Sequence, residues 1–217
     1  MLKLTVANLK GGTAKTTTAG FMGTALYECG LEPVGIDADR ENEGFFDWAK
    51  EGPLPFPCEV FTEPGLDVKL PGILGDRFGS VVIDTPPMQD RAEVVRGAVR
   101  WSTHVLIPMA PTTAEYRRME EVRLFLAETL KGRTQPVVAV MFNRTVPAAS
   151  ATGVFRDQLR ADGWHVLRST AGNIQRYAQA QGSPITQAMN TPFGFALEEL
   201  LDLTPEIAKV PVREDAR

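Results

Sequence analysis

The sequence predicts an α/β fold, a single domain with a mostly parallel central sheet and helices on both faces. Short runs of consecutive apolar residues, typical of strands buried on both faces, alternate with longer segments of helical apolar spacing. Glycine, acidic or amide residues follow several of the apolar runs directly. In a parallel sheet these residues meet at the carboxyl ends of the strands, where ligands bind.

The elements follow one another in regular alternation. Strands are predicted over residues 2–7, 33–36, 80–83, 104–108, 136–142 and 164–167. Helices are predicted over residues 16–29, 92–99, 113–130, 154–161, 174–181 and 195–201. Residues 51–75 are rich in Pro and Gly and indicate an irregular segment with one short strand near residues 58–61. The domain is expected to cover residues 1–207, followed by a charged, frayed tail over residues 208–217.

Composition narrows the class of protein. The 217 residues carry a net charge of −4, so the whole chain offers no general attraction to nucleic acid. No apolar run approaches the roughly 20 residues that span a bilayer, and the first strand begins at once, without a secretory leader. We therefore expect a cytoplasmic protein that makes no membrane contact. Cys29 and Cys58 are expected to be free, buried thiols.

The opening stretch, MLKLTVANLKGGTAKTTT, has the composition of a phosphate-binding loop. A strand leads into Gly11-Gly12, and Lys15-Thr16 stands at the start of a helix, where backbone N–H groups and the helix dipole face an anion. Lys15 neutralises the distal phosphates and the Thr16 hydroxyl is placed to ligate Mg²⁺. The candidate loop comprises Gly11, Gly12, Thr13, Ala14, Lys15, Thr16 and Thr17. The sequence therefore predicts a P-loop fold that binds a nucleoside triphosphate.

Carboxylates follow two further strands. Asp37 and Asp39 are spaced i, i+2 at a strand end, which directs both side chains to one side, toward the nucleotide. Asp84 ends the apolar run VVID and is expected to hold Mg²⁺ together with Thr16. The next residues are Thr85-Pro86-Pro87, where the prolines stiffen the turn.

The order of these motifs resembles the ParA/MinD family of dimeric ATPases. The loop K-G-G-x-x-K-T-T resembles the deviant Walker A motif of that family, and D-T-P-P resembles its ParA members. The resemblance implies that Lys10 acts in trans on the nucleotide of the partner subunit. This chain has Ala14 where the family has Gly, and alanine is strained if the position requires a positive φ.

The same resemblance assigns roles to the acidic pair. It implies that Asp39 orients the attacking water and that Asp37 supports Mg²⁺ through its water shell. Many family members continue with Pro-Gln, whereas this chain has Arg40-Glu41. This departure puts the local switch geometry in question.

Two later segments resemble the part of the family that surrounds the base. Asn143-Arg144 follows a strand, and the family's Asn at this point contacts the adenine edge through an amide that both donates and accepts. The segment of residues 182–185, which includes Pro184, resembles the loop that closes over the base. Taken without the other motifs, an Asn-Arg pair after a strand is equally compatible with an ordinary turn.

As a whole, the resemblance implies a compact, plasmid-type partition ATPase that uses ATP and Mg²⁺. Such a protein forms a homodimer with ATP, binds DNA without sequence preference, associates with the nucleoid, and is released by a ParB-type or other adaptor protein. In an acidic protein the DNA surface would have to be a local one, assembled from two chains. The candidate residues are Lys131, Arg133, Arg160, Arg168 and Arg176.

Other functions remain open at this point. A MinD-like membrane switch would need a C-terminal amphipathic helix, which residues 208–217 do not supply. A redox protein with an interfacial cluster would need paired cysteines, and Cys29 and Cys58 are poorly spaced for that. A P-loop small-molecule kinase or synthetase has no use for Lys10. A scaffold that binds nucleotide without hydrolysing it is compatible with Ala14.

Overall fold

The structure is a computed structural model, and it describes residues 1–39, 44–52, 54–147 and 150–212. Its strands are β1 (Leu2–Val6), β2 (Pro33–Asp37), β3 (Cys58–Val60), β4 (Ser80–Asp84), β5 (His104–Met109), β6 (Val137–Thr145) and β7 (Val166–Gly172). Within the described ranges they form one seven-stranded sheet in the order β3-β2-β4-β1-β5-β6-β7. Every neighbouring pair in this sheet is parallel, so all the carboxyl ends meet at one edge.

Helices cover both faces of the sheet. They are α1 (Lys15–Glu28), α2 (Gly44–Glu51), α3 (Leu66–Leu74), α4 (Ala92–Trp101), α5 (Thr113–Thr129), α6 (Ala151–Ala161), α7 (Gln175–Ala178) and α8 (Pro192–Leu201). Helices α1, α2 and α8 pack on one face, and α3 to α6 pack on the other. The predicted α/β class is confirmed. Strands β1, β2, β4 and β5 begin and end within one residue of their predicted limits, whereas β6 continues to Thr145 and β7 to Gly172, beyond the predicted ends at residues 142 and 167.

Two helices were not predicted from the sequence. The segment of residues 51–75 contains the short strand β3, as predicted, but the expectation that the rest is irregular is wrong because α3 runs through it. Pro71 lies inside α3, and this helix breaker hid the apolar spacing of Leu66, Leu70 and Leu74, which are all buried. The second unpredicted helix is α2, which is short. Residues 40–43, which precede it and include Arg40-Glu41, lie outside the described residues.

The chain after α8 remains part of the domain beyond its predicted end at residue 207. Ala208 and Val210 are buried, and the backbone N–H of Val138 in β6 donates to the Ala208 carbonyl at 2.9 Å. Fraying therefore does not begin at residue 208 as expected, because a contact with a distant strand holds this segment. Residues 213–217 lie outside the described part of the chain.

The cysteines are free thiols, but only one of them is shielded. Cys58 is half-buried in β3, whereas Cys29 is exposed at the end of α1, so the expectation of a buried thiol is wrong for Cys29. None of the helices in the described ranges combines the length and the apolar composition needed to cross a membrane.

The packing of α1 generates a stability prediction. A Cβ at Gly23 would lie 2.3 Å from Cζ of Phe56, so Gly23→Ala should lower the free energy of unfolding by about 1–3 kcal/mol. A Cβ at Gly72 in α3 would meet nothing within 4 Å, so Gly72→Ala should leave that free energy unchanged or raise it by about 0.5 kcal/mol. Urea unfolding of both variants measures the difference, and equal effects would contradict the packing of α1 on Phe56.

Candidate phosphate-binding site

The loop between β1 and α1 makes two left-handed turns. Gly12 has φ 75°, and Ala14, the residue that caps the start of α1, has φ 63° and ψ 35°. Alanine thus adopts the conformation that favours glycine, as the sequence led us to suspect. The Thr18 hydroxyl donates to the Ala14 carbonyl at 2.7 Å and stabilises this strained residue in the first turn of α1.

Lys15 and Thr16 both lie at the N-terminus of α1. Lys15 is only 7% exposed, and its Nζ donates to the Lys10 carbonyl at 3.2 Å, which folds the side chain back over the loop. Burial lowers the pKa of Lys15, while the carboxylates of Asp84, Asp39 and Asp90 oppose that change. The Lys15 ammonium group thus lies near several carboxylates at the N-terminus of α1, where the helix dipole favours a bound anion.

The Thr16 hydroxyl joins α1 to the end of β4. It donates to Oδ2 of Asp84 at 2.6 Å. Burial raises the pKa of Asp84 to about 7, and the hydrogen bond from Thr16 opposes the rise. The other oxygen, Asp84 Oδ1, is buried and has no hydrogen-bond partner among the described residues.

This orphaned oxygen fits the predicted Mg²⁺. A buried acceptor without a donor is costly, and a divalent cation beside it would compensate that cost. Within the described ranges no three His, Cys, Asp or Glu side chains gather to form a metal cage. Mg²⁺ bound to phosphates uses only one or two protein ligands, and Asp84 with Thr16 meets that requirement.

The two aspartates that follow β2 have separate surroundings. Asp37 is fully buried, and its Oδ2 accepts the backbone N–H groups of Phe45 and Phe46, each at 2.9 Å, at the start of α2. Its Oδ1 accepts the N–H of Asp39 at 3.0 Å. Burial raises the pKa of Asp37, and these backbone donors oppose the rise. The expected pair does not face one site, because Asp37 caps a helix while Asp39 lines the cavity.

That cavity has a volume of about 550 Å³ and lies at the carboxyl edge of the sheet. Its wall includes the predicted residues Gly11, Gly12, Ala14, Lys15, Thr16, Thr17, Asp39, Asn143 and Arg144. It also includes residues that the sequence did not reveal, among them Asn173, Ile174, Tyr177 and Gln181. These follow β7 and carry no motif; only their position after a predicted strand could have suggested them.

Asn143 is a buried contact of the loop. It is 3% exposed, and its Nδ2 donates to the Thr13 carbonyl at 2.8 Å, which connects β6 to the P-loop. Its Oδ1 has no hydrogen-bond partner among the described residues. Arg144 beside it has φ 51° and is exposed. The amide therefore donates to the loop through Nδ2, and its Oδ1 can accept a hydrogen bond from another group.

Pro184 does not join this site. It lines a neighbouring cavity together with Phe21, Gln179 and Ile185, and its contact with a base stays a prediction. The chain reaches the nucleotide cavity a few residues earlier, at Gln181. A local resemblance in sequence could not resolve a shift of three residues.

Two loop residues have contrasting roles. Lys10 is exposed at the surface, unlike the buried Lys15. Asn8, which the sequence analysis overlooked, is buried, and its Nδ2 donates to the Pro108 carbonyl at 2.7 Å. Asn8 therefore joins the start of the loop to β5 and holds the backbone from which Lys10 projects.

The candidate DNA-binding residues are not all neighbours in one chain. Lys131 and Arg133 lie in the turn after α5, and Arg176 lies in α7. Arg160 of α6 donates to the Val166 carbonyl of β7 at 3.3 Å, and Arg168, itself in β7, forms an ion pair with Glu199 of α8 at 3.4 Å. These two residues therefore both contact or belong to β7.

Comparisons with known proteins agree with this geometry. No protein-family model matches the chain. It is 25% identical, over 191 residues, to the maintenance of carboxysome distribution protein A of Halothiobacillus neapolitanus. This match covers 85% of this chain and 86% of that protein. The MinD cell division protein of Aquifex aeolicus has a TM-score of 0.73 at 17% identity, over 94% of this chain and 99% of that one. Cobyrinic acid a,c-diamide synthase from Mycobacterium smegmatis, with bound ADP and magnesium, has a TM-score of 0.68 at 17% identity, over 99% and 100% of the two chains.

Sheet order, glycine loop and the Thr16–Asp84 contact define a P-loop nucleotide-binding protein. The sequence match and the shared fold agree with the resemblance first noted in the loop: the chain is similar in sequence to the carboxysome distribution protein and has the fold of MinD. The predicted P-loop fold is therefore confirmed, and these comparisons support the predicted resemblance.

The strained turn at Ala14 generates a second stability prediction. Ala14→Gly should raise the free energy of unfolding by up to about 1 kcal/mol, because glycine adopts a positive φ without a Cβ penalty. The control is Ala127→Gly on the exposed side of α5, which should lower that free energy by about 1 kcal/mol. Thermal or urea unfolding measures both changes. Destabilisation by both variants would contradict the left-handed conformation of Ala14.

Proposed function

We propose that this chain is a Mg-ATP-dependent ATPase that dimerises when it binds ATP and positions a cargo in the cell. The observation that carries the proposal is the contrast between the two lysines of one loop. Lys15 is 7% exposed and lies within its own cavity, whereas Lys10 projects from the surface. A loop that serves one nucleotide needs only the first lysine. We assign the second to a nucleotide in another subunit.

Within one subunit, the loop binds the phosphates. Lys15, the N–H groups of Gly11 to Thr17 and the dipole of α1 supply positive potential on one side of the cavity. Thr16 and Asp84 would hold Mg²⁺, which when bound neutralises phosphate charge and orients the terminal phosphate. Asp39 faces the same cavity and is our candidate for orienting the attacking water.

Between subunits, Lys10 would neutralise the phosphate charge of the partner's nucleotide. Two triphosphates brought face to face repel each other, and a lysine from each chain removes that obstacle to closure. Hydrolysis removes the charge that these lysines neutralise, so the dimer would open afterwards. ATP thereby becomes a switch for association.

A more specific part of the proposal concerns the cargo and the DNA-binding surface. We propose that the dimer binds DNA without sequence preference, associates with the nucleoid, and is released by a ParB-type or other adaptor protein. In support, the carboxysome distribution protein matched by the chain is, by its name, concerned with the distribution of a cargo. Arg160, which contacts β7, and Arg168, which belongs to it, are the preferred DNA contacts, and a dimer would present two such pairs. Binding of this kind should weaken steeply with salt.

Lys15 provides the direct test of nucleotide binding. Lys15→Ala should abolish binding of a fluorescent ATP analogue, because the cavity loses the cation that faces the distal phosphates. The matched control is Lys50→Ala, on the exposed C-terminal turn of α2, which should bind like the unmodified protein. Unchanged affinity in Lys15→Ala would overturn the assignment of this loop.

Lys10 separates a dimeric switch from a P-loop kinase or synthetase. Lys10→Ala should bind the analogue as a monomer but fail to dimerise with Mg-ATP in analytical ultracentrifugation, and DNA binding should be lost with the dimer. Mixing Lys10→Ala with Lys15→Ala should restore partial hydrolysis, because the first supplies an intact cavity and the second an intact Lys10. Normal dimerisation and hydrolysis by Lys10→Ala alone would instead favour the kinase or synthetase.

A further inference from the structure

Helix α2 presents one continuous face to the loop of residues 181–183. Gly44, Trp48 and Gly52 are spaced four residues apart, which places them on one side of a helix. The backbone N–H of Gly52 donates to the Trp48 carbonyl at 2.9 Å, so helical bonding continues as far as Gly52. All three residues contact the same loop, and we call this contact the α2 seam.

Each contact along the α2 seam is specific. Gln181 Nε2 donates to the Gly44 carbonyl at 3.1 Å, and Trp48 Nε1 donates to the Ser183 carbonyl at 2.8 Å. At the far end, a Cβ on Gly52 would lie 2.5 Å from the carbonyl carbon of Gly182. Only glycine therefore allows the two backbones to approach there, and the helix and loop are joined along the whole length of α2.

At its other end, α2 is joined to the phosphate side of the cavity. Asp37 accepts the N–H groups of Phe45 and Phe46 with one carboxylate oxygen and the N–H of Asp39 with the other. The residue that faces the cavity and the first turn of α2 thus share one buried carboxylate. The backbone of Asp39 and the start of α2 therefore share one hydrogen-bonded anchor.

The loop side of the α2 seam belongs to the opposite wall of the same cavity. Gln181 lines the cavity, as do Tyr177 and Ala178 of α7. The Tyr177 ring packs edge-on against Phe193 at 5.2 Å, which fixes α7 to the core. Residues 173–181, which we call the α7 wall, therefore continue directly into the loop that Trp48 contacts.

Trp48 lies where these elements meet. It is 1% exposed, and a Cβ at Gly20 of α1 would lie 2.6 Å from its ring, so the indole packs directly on the helix that begins with Lys15. One side chain thus contacts α1 through its ring and the loop after the α7 wall through its N–H. No other described tryptophan has such a position: Trp101 and Trp164 lie among the helices on the opposite face of the sheet.

We propose that Trp48 is a positioning residue that couples Asp39, through α2 and the α2 seam, to the α7 wall. A nucleotide that engages the phosphate side of the cavity then orders the α7 wall on the other side. The inference rests on the proposed nucleotide-binding function and adds the route by which the two sides respond together. Loss of the indole N–H should uncouple them and leave the P-loop intact.

Hydrogen exchange tests the coupling. In the unmodified protein, a non-hydrolysable ATP analogue with Mg²⁺ should slow exchange both in residues 7–18 and in the α7 wall. In Trp48→Phe, which keeps an aromatic ring against Gly20, residues 7–18 should stay protected, while protection of the α7 wall should fall by about threefold to tenfold. The matched control, Trp164→Phe, makes the same change in a buried tryptophan on the other face and should behave like the unmodified protein.

Two more variants keep the test decisive if Trp48→Phe does not fold. Gln181→Ala removes the bond to Gly44 from an exposed position, and Gly52→Ala forces the helix and loop apart, so both should lose protection of the α7 wall. Full protection of that wall in all variants that fold would overturn the coupling alone. No protection of residues 7–18 in the unmodified protein would overturn the proposed function, and the coupling with it.

Discussion

The hydrogen bond from the Thr16 hydroxyl to Asp84 is the contact on which the site depends. It joins the first turn of α1 to the end of β4, the strand beside β1 in the sheet. The glycine loop is thereby enclosed between a helix and two neighbouring strands, and most of its residues line one cavity. The same contact leaves the second oxygen of Asp84 buried without a donor. A burial cost of this kind is tolerated where a cation compensates it.

Around this contact the loop is held by buried amides. Asn8 joins its beginning to β5, and Asn143 joins the carbonyl of Thr13 to β6. Each amide supplies a hydrogen bond that the irregular backbone would otherwise lack in the interior. The loop can therefore keep the strained turn at Ala14, because its neighbours fix its path on both sides.

The two lysines of the loop differ in burial and therefore in electrostatic surroundings. Lys15 loses hydration in the cavity and lies near Asp84 and Asp39, whereas Lys10 stays hydrated at the surface. A buried lysine favours a ligand that carries negative charge within its own cavity. An exposed lysine on the same loop favours a ligand presented from outside. On the proposed function, one short sequence would thus supply cations for two different phosphate groups.

What the sequence determined was the alternation of strands and helices, the P-loop and the acid at the end of β4, because these depend on local apolar periodicity and on residues adjacent in the chain. It also indicated the strain at Ala14. Only the tertiary structure decided that Asp37 caps α2, that Pro184 lies outside the cavity, and that Gln181 and Tyr177 line it. These roles depend on which segments meet across the sheet. The partners of Asp37 lie only eight and nine positions along the chain, but in a helix that no apolar pattern predicted. The contacts of the segment around Gln181 join residues more than a hundred positions apart, and no local pattern records them.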